Sequence, residues 1–481
     1  MSVNRVHRVL RNTSWYFGGT AVSALLGFIN TPLLTRILEP KVYAQYGILI
    51  TFTTALTTFI YLGQDEAFMR FFDKRKLSFR SYFWHCIRVP LFLCALVVAV
   101  LLEPSHLFLN WFFGPELSFT CILICFYITI IVFQRFLMLT ARMEERAANY
   151  AISNVVSKAC FMVGTVVLYC LIRSISFGQI IVCLLFGVVV ALAVNLTVVI
   201  NVSHGVNCAG NGVSSKELLQ FGLPFAFSST LFLSTPLIEK LIVRFQTSWD
   251  ILAIYTSAAI FVTVMNLVKT TVNSIWVPYV YKNYQDEEHF KMIFYNVGIF
   301  LIAFCLSVVA VTILMRRWLV LVFDSRYYES MLIAPAMVCG ACFDLLSGFY
   351  SIGINITMKT KYHIVVPIVQ LIISSSLLFA FLSLIGLRAT GISYLLSVSI
   401  SRMFQMLIAL RYYNTGKANT KMIVMFLVGV SVALSAVFFD SMMFDVISCG
   451  CLMLFVVLLS HKELSVIARF VFGNRKLSYS R

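Results

Sequence analysis

Fourteen apolar runs, each close to the length that crosses a bilayer, dominate this chain. They lie near residues 13–34, 42–62, 82–102, 117–139, 150–171, 178–200, 219–241, 253–276, 292–314, 330–352, 362–385, 389–411, 420–440 and 442–460. A helix needs about 20 mostly apolar residues to span the hydrocarbon core. Of the 481 residues 60% are hydrophobic and only 12% charged, about half the charged share of a soluble domain. Lipid must therefore be the solvent for most of the surface. Backbone polar groups in lipid are satisfied within a helix, so the fold class expected is an all-α integral membrane protein of about 14 transmembrane helices. Arg5, Arg8 and Arg11 precede the first run. That run is too long for a signal peptide and leads into further spans, so it is read as a retained first helix. An acidic turn, Asp440 to Asp445, joins the last two runs.

The net charge of +17 falls between the apolar runs rather than in a nucleic-acid-binding domain. With the N-terminus inside, 24 basic residues fall in inner loops and tails and 9 in outer loops. This bias places both termini in the cytoplasm of a multi-pass inner (cytoplasmic) membrane protein. The basic excess suits anionic membrane lipids or an anionic substrate, and no nucleic acid is expected. The thirteen cysteines lie mostly inside apolar runs without metal-ligand spacing and read as small hydrophobes. No cofactor, metal or catalytic residue is expected, and the loops are too short to hold a soluble catalytic domain. The chain reads as a transporter rather than an enzyme.

Sliding the sequence by 204 residues brings Phe17-Gly18 onto Phe221-Gly222, Phe28 onto Phe232 and Thr31-Pro32-Leu33 onto Thr235-Pro236-Leu237. Arg36 then falls on Lys240. The matched windows start the first and seventh helices, so two six-helix repeats face the same way, a pattern seen in transporters. The expected divisions are 1–203, 214–412, and 413–481 for two extra helices with a basic tail. Pro32 and Pro236 remove backbone donors and kink their helices. Such kinks serve as hinges or are ordinary membrane-helix prolines; the sequence leaves both open.

Charges inside spans carry the functional argument. Each costs on the order of 2.5–3.5 kcal/mol at the bilayer centre, so Arg88, Lys158, Lys269, Arg402 and Asp344 need partners, water or a ligand. Arg88 is near enough to a helix end to snorkel. The other three bases lie on polar stripes: Asn154, Ser157, Lys158 and Thr165 on one helix; Thr263, Asn266, Lys269, Thr270 and Asn273 on a second; Ser399, Arg402 and Gln405 on a third. Such stripes face a bundle interior or a wet cavity. One reading is a cationic cavity between the repeats, formed by Lys158, Lys269, Arg402 and Arg88 and lined by Asn154, Ser157, Asn266, Thr270, Asn273 and Gln405. The other is helix-to-helix hydrogen bonding, with Asp344 paired to Lys269 or Arg402.

Gly63-Gln64-Asp65-Glu66-Ala67-Phe68-Met69-Arg70-Phe71-Phe72 resembles the G-x-D-x-A-x-x-R-F segment of Wzx-type polysaccharide flippases. These belong to the multidrug/oligosaccharidyl-lipid/polysaccharide exporter superfamily. Thr35-Arg36-Ile37-Leu38-Glu39-Pro40 resembles the T-R-x-L-x-P close of their first helix, and Phe221-Gly222-Leu223-Pro224 and Trp276-Val277-Pro278 resemble landmarks of their second repeat. The resemblance runs over about residues 10–412. Where the family often closes its seventh helix with Asp-Arg, this chain has Glu239-Lys240, which keeps the order of charge but not the bidentate guanidinium.

The resemblance implies a V-shaped pair of six-helix lobes with two extra C-terminal helices and alternating access. It also implies an undecaprenyl-diphosphate-linked oligosaccharide, a repeat unit of capsule, O-antigen or a related polysaccharide, carried from the inner to the outer leaflet. A polyprenyl-diphosphate-linked glycan would be the cargo, with a polymerase and other polysaccharide-assembly proteins as partners. Asp65 and Arg70 would then stand at an inner gate, Arg36, Glu239 and Lys240 at an outer one, with Asp344 as the ion-coupling carboxylate. The rival readings are a cation-coupled multidrug antiporter of the same superfamily, which predicts acidic rather than basic intramembrane residues, and a membrane polysaccharide polymerase, which calls for a large loop or soluble domain.

Overall fold

The computed structural model describes residues 3–72, 79–103, 107–114, 118–203, 215–283, 287–319, 323–357, 362–412 and 419–472. All regular elements among them are helical. Thirteen helices are long and apolar enough to cross a membrane, and a fourteenth span results when one helix pair bent by 57° is counted as one. Each of the fourteen apolar runs falls on one of these spans. Many of the loop bases behind the orientation argument lie outside the described residues: Lys74, Arg75, Lys76, Lys359, Lys361, Lys417, Arg475, Lys476 and Arg481.

The chain divides into two compact units, Met1–Arg244 and Phe245–Arg481. The first unit holds α1 (Val3–Ile37), α2 (Pro40–Tyr61), the short α3 (Gln64–Arg70), α4 (Phe79–Leu101), α5 (Leu107–Phe113), α6 (Ser118–Met143), α7 (Ala147–Ile172), α8 (Phe177–Ser203) and α9 (Ser215–Gln246, to Arg244). Here α7 packs between α1 and α8, and α6 packs against α8 and α4. The boundary after Arg244 leaves α9, which carries the second Thr-Pro-Leu segment, with the first unit. Thr31 and Thr235 make the same local bond, each hydroxyl donating to the carbonyl four residues back, Gly27 at 3.4 Å and Leu231 at 3.2 Å.

The bent pair is α2 and α3. Leu62 (φ 48°) and Gly63 (φ 71°) both adopt the left-handed conformation between them. Two consecutive left-handed residues end the α2 hydrogen-bond ladder, and Gly63 then starts α3, its carbonyl accepting from the Ala67 N–H at 3.0 Å. Glycine suits this position; leucine there is uncommon.

The second unit holds α10 (Trp249–Asn283), α11 (Glu287–Leu319), a 3-10 turn (Ser325–Tyr327), α12 (Ser330–Tyr350), α13 (Ile352–Ile356), α14 (Tyr362–Ile385), α15 (Arg388–Tyr412), α16 (Asn419–Phe438) and α17 (Met442–Phe472). Its centre is α12, which contacts α10, α11, α15 and α16 and is buried over 89% of its apolar window. Its sequence explains that place: Ala334, Ala336, Cys339, Gly340, Ala341 and Cys342 are small and buried, and small residues let membrane helices approach closely. Trp276 near the end of α10 stacks on Phe349 of α12 at 4.3 Å between ring centroids. The α16–α17 pair is fastened at its turn to Arg316 on α11, which is wholly buried. Its guanidinium meets Asp445 and donates to the carbonyls of Ala436 at 2.7 Å and Phe439 at 2.6 Å.

Candidate functional site

In the second unit three charges from three helices converge. Lys269 on α10 donates to Asp344 Oδ2 at 2.5 Å, and Arg402 Nε on α15 lies 2.8 Å from Asp344 Oδ1 on α12. The helices bring them together by register: α12 lies between α10 and α15, and one turn beyond the Lys269–Asp344 pair the Asn273 amide rests on Gly348. A Cβ at Gly348 would sit 3.0 Å from both polar atoms of that amide, so glycine is what lets α10 and α12 close to this distance. The Arg402 guanidinium also donates to Gln405 Oε1 at 3.1 Å and Gln370 Oε1 on α14 at 3.3 Å. The side chains of Asp344 and Arg402 are 8% and 9% exposed and that of Lys269 23%, so the lysine is the most accessible of the three. Among the described residues the cluster sets two cations against one carboxylate, an excess of positive charge.

This arrangement realises the pairing that the sequence left open as an alternative, and with both bases at once. Asn266 and Thr270 are exposed on α10; the Thr270 hydroxyl donates back to Leu267 O at 2.9 Å. Gln370 carries no sequence signal beyond being the one carboxamide in the α14 span, and it enters the cluster only because α14 packs on α15.

The first unit places its charges differently. Lys158 on α7 donates to the Ser23 carbonyl of α1 at 2.9 Å, without a carboxylate partner among the described residues. Asn154, one turn earlier, donates to Tyr150 O at 3.1 Å, and Ser157 is half-buried. Arg88 is exposed on α4. Asp65, on the first turn of α3, pairs with Arg135 of α6 at 2.8 Å, while Arg70 at the end of α3 is exposed. Arg135 is counted from sequence with the inner-loop bases although it falls inside the 117–139 run; the structure keeps it within α6. At the far end of α2, Lys240 is buried and donates to the Gly47 carbonyl at 2.7 Å, beside buried Glu239, whereas Arg36 is exposed. Among the described residues, acidic, histidine and cysteine side chains form no group able to hold a metal.

This long helical array, with charges buried inside its spans, shares its fold with solved structures of membrane transporters. A structure of the lipid II flippase MurJ in an inward closed conformation aligns with a TM-score of 0.69 at 14% identity, covering 95% of this chain and 99% of that one. An inward-facing multidrug resistance MATE family transporter of the MOP superfamily aligns with a TM-score of 0.66, also at 14% identity, over 83% and 96% of the two chains. At these identities the likeness is one of fold.

Residues 9–284 match the model of the family described as polysaccharide biosynthesis protein, and the chain belongs to that family. The capsular polysaccharide biosynthesis protein CapF of Staphylococcus aureus is 28% identical over 205 residues, 41% of this chain and 50% of that protein. The match thus spans about half the length of this curated relative.

Proposed function

We propose that the protein is a flippase that moves a polyprenyl-diphosphate-linked oligosaccharide from the inner to the outer leaflet of the cytoplasmic membrane by alternating access, with both termini in the cytoplasm. The observation that carries this reading is the excess of positive over negative charge in the Lys269–Asp344–Arg402 cluster, in a chain of the polysaccharide biosynthesis family. A diphosphate is an anion that such a cluster attracts, and Asn, Ser and Gln on the same helices suit sugar hydroxyls. Lys269 is the group we assign to the diphosphate in the second unit, because it is the most exposed; Arg402 and Asp344 hold it in place. Lys158 is the corresponding group in the first unit. Asp344 is engaged on both oxygens, so ion coupling through it would require release of Lys269 or Arg402 first. The two Thr-Pro-Leu segments, with matching threonine bonds, support reading 1–203 and 214–412 as repeats.

A cation-coupled multidrug antiporter shares the fold, but the excess positive charge of this cluster repels a cationic cargo. The test is reconstitution into vesicles with a polyprenyl-diphosphate oligosaccharide, scored by access of an outside glycan-modifying enzyme. Protein-dependent exposure of the glycan, lost on Lys269→Glu while the protein stays folded, is the expected result. Exposure at the rate of empty vesicles rules the reading out.

A further inference from the structure

Three observations meet at the break between α2 and α3. Leu62 and Gly63 are both left-handed, with φ of 48° and 71°, and the helix axis turns by 57° there. Gly63 lies backbone to backbone against Gly222 of α9: a Cβ on Gly63 would fall 2.1 Å from Gly222 O, and one on Gly222 2.5 Å from Gly63 O. Next to them Gln64 is 1% exposed, and among the described residues neither polar atom of its carboxamide has a hydrogen-bond partner.

The far side of the break is firmly held. Tyr82 of α4 donates its hydroxyl to Phe68 O at 2.7 Å and Ala67 O at 3.2 Å, Asp65 is paired to Arg135, and the Phe68 ring packs on Phe136 at 6.0 Å. So α3 is tied to α4 and α6, while its approach to α9 is made backbone to backbone by Gly63 and Gly222. One turn to either side of Gly222, Leu218 and Ala226 of α9 are buried. A left-handed leucine and an unpartnered buried carboxamide both raise the free energy of the arrangement that contains them. Outliers of this kind gather at elements with two positions.

We propose that Leu62-Gly63-Gln64 is a release joint. In the arrangement seen, the α2–α3 break is closed on Gly222. In the other, α9 has parted from it and the Gln64 carboxamide is hydrogen-bonded. The joint lies within the first unit and does not depend on which cargo the protein carries.

Hydrogen–deuterium exchange on the full chain in lipid nanodiscs tests this, read on residues 59–68. Gln64→Met keeps the length of the side chain and removes the unpartnered groups. It should slow exchange there roughly tenfold, the effect of relieving one buried unsatisfied polar group. Gly222→Ala forces the contact apart and should speed exchange on the same residues by a similar factor; α9 itself is not scored, since alanine strengthens it as a helix. Gly18→Ala, a position where a Cβ meets nothing within 4 Å, should leave residues 59–68 unchanged. Unchanged or faster exchange in Gln64→Met overturns the proposal, because Gln64 then has a partner in the closed state. Unchanged or slower exchange in Gly222→Ala overturns it equally. Should Gly222→Ala fail to yield folded protein, Gln64→Met decides alone.

Discussion

Arg316 and Asp445 form a two-point ion pair in which Nη2 lies 2.6 Å from Oδ1 and Nε 3.1 Å from Oδ2, with both side chains almost wholly buried. The pair joins α11 to the start of α17, and the remaining guanidinium donors cap the end of α16 through the Ala436 and Phe439 carbonyls. Lysine has neither the fork nor the donors for these bonds. Arg316→Lys should therefore lose stability, and Arg316→Met, which removes the charge as well, should lose more, toward the range of about 3–5 kcal/mol found for breaking buried pairs. Thermal unfolding in detergent, with limited proteolysis of the 438–445 turn, measures it. A variant as stable as the parent would show the clamp to be dispensable.

Asp344 has a comparable place in the second unit. Replacing it with Asn leaves Lys269 and Arg402 as neighbouring buried cations without their shared carboxylate. The expected cost is again about 3–5 kcal/mol, and the double variant Lys269→Met/Asp344→Asn should recover part of it. Comparing denaturation of the two single variants with the double gives the coupling directly; simple additivity would deny that the three charges act together.

Lys158 offers a cleaner test of cationic function, because its bond is to the Ser23 carbonyl and no carboxylate is stranded when it is removed. Lys158→Met should change stability by only about 1 kcal/mol while lowering glycan translocation in vesicles at least several-fold. Full translocation by a well-folded Lys158→Met protein would remove this residue from the substrate path.

The Asp65–Arg135 pair is more open, with the Arg135 side chain 39% exposed. Its coupling in a double-mutant cycle should be about 1 kcal/mol or less. A larger value would mean that solvent reaches the pair less than its exposure suggests.

The spans were legible because an apolar run of bilayer length has few other solutions, and each of the fourteen runs became a helix. Asp344 was legible as a problem, an acid inside a span, but not as a solution. Helical periodicity puts Lys269 and Arg402 on polar stripes without saying what those stripes face; that depends on the depth and rotation of α10, α12 and α15. Arg316 lies just past the 292–314 run and reads from sequence as a loop base, because hydropathy marks where apolar residues stop, whereas helix persists while its backbone bonds continue. Gly63 and Gly222 appeared separately in two family-like motifs, and nothing in either motif announces that they touch. The acidic turn from Asp440 to Asp445 was visible, but its partner, Arg316, is more than a hundred residues away.

The charge imbalance of the Lys269–Asp344–Arg402 cluster couples it to the membrane's electric field. One positive charge moved through the full potential changes the free energy by about 2.3 kcal/mol per 100 mV. Any step that shifts this cluster along the membrane normal takes a fraction of that energy from the field. An inside-negative membrane favours positions nearer the cytoplasm. A cargo anion that neutralises the cluster removes that bias, so the loaded and empty forms of such a protein respond differently to voltage even if their motions are the same.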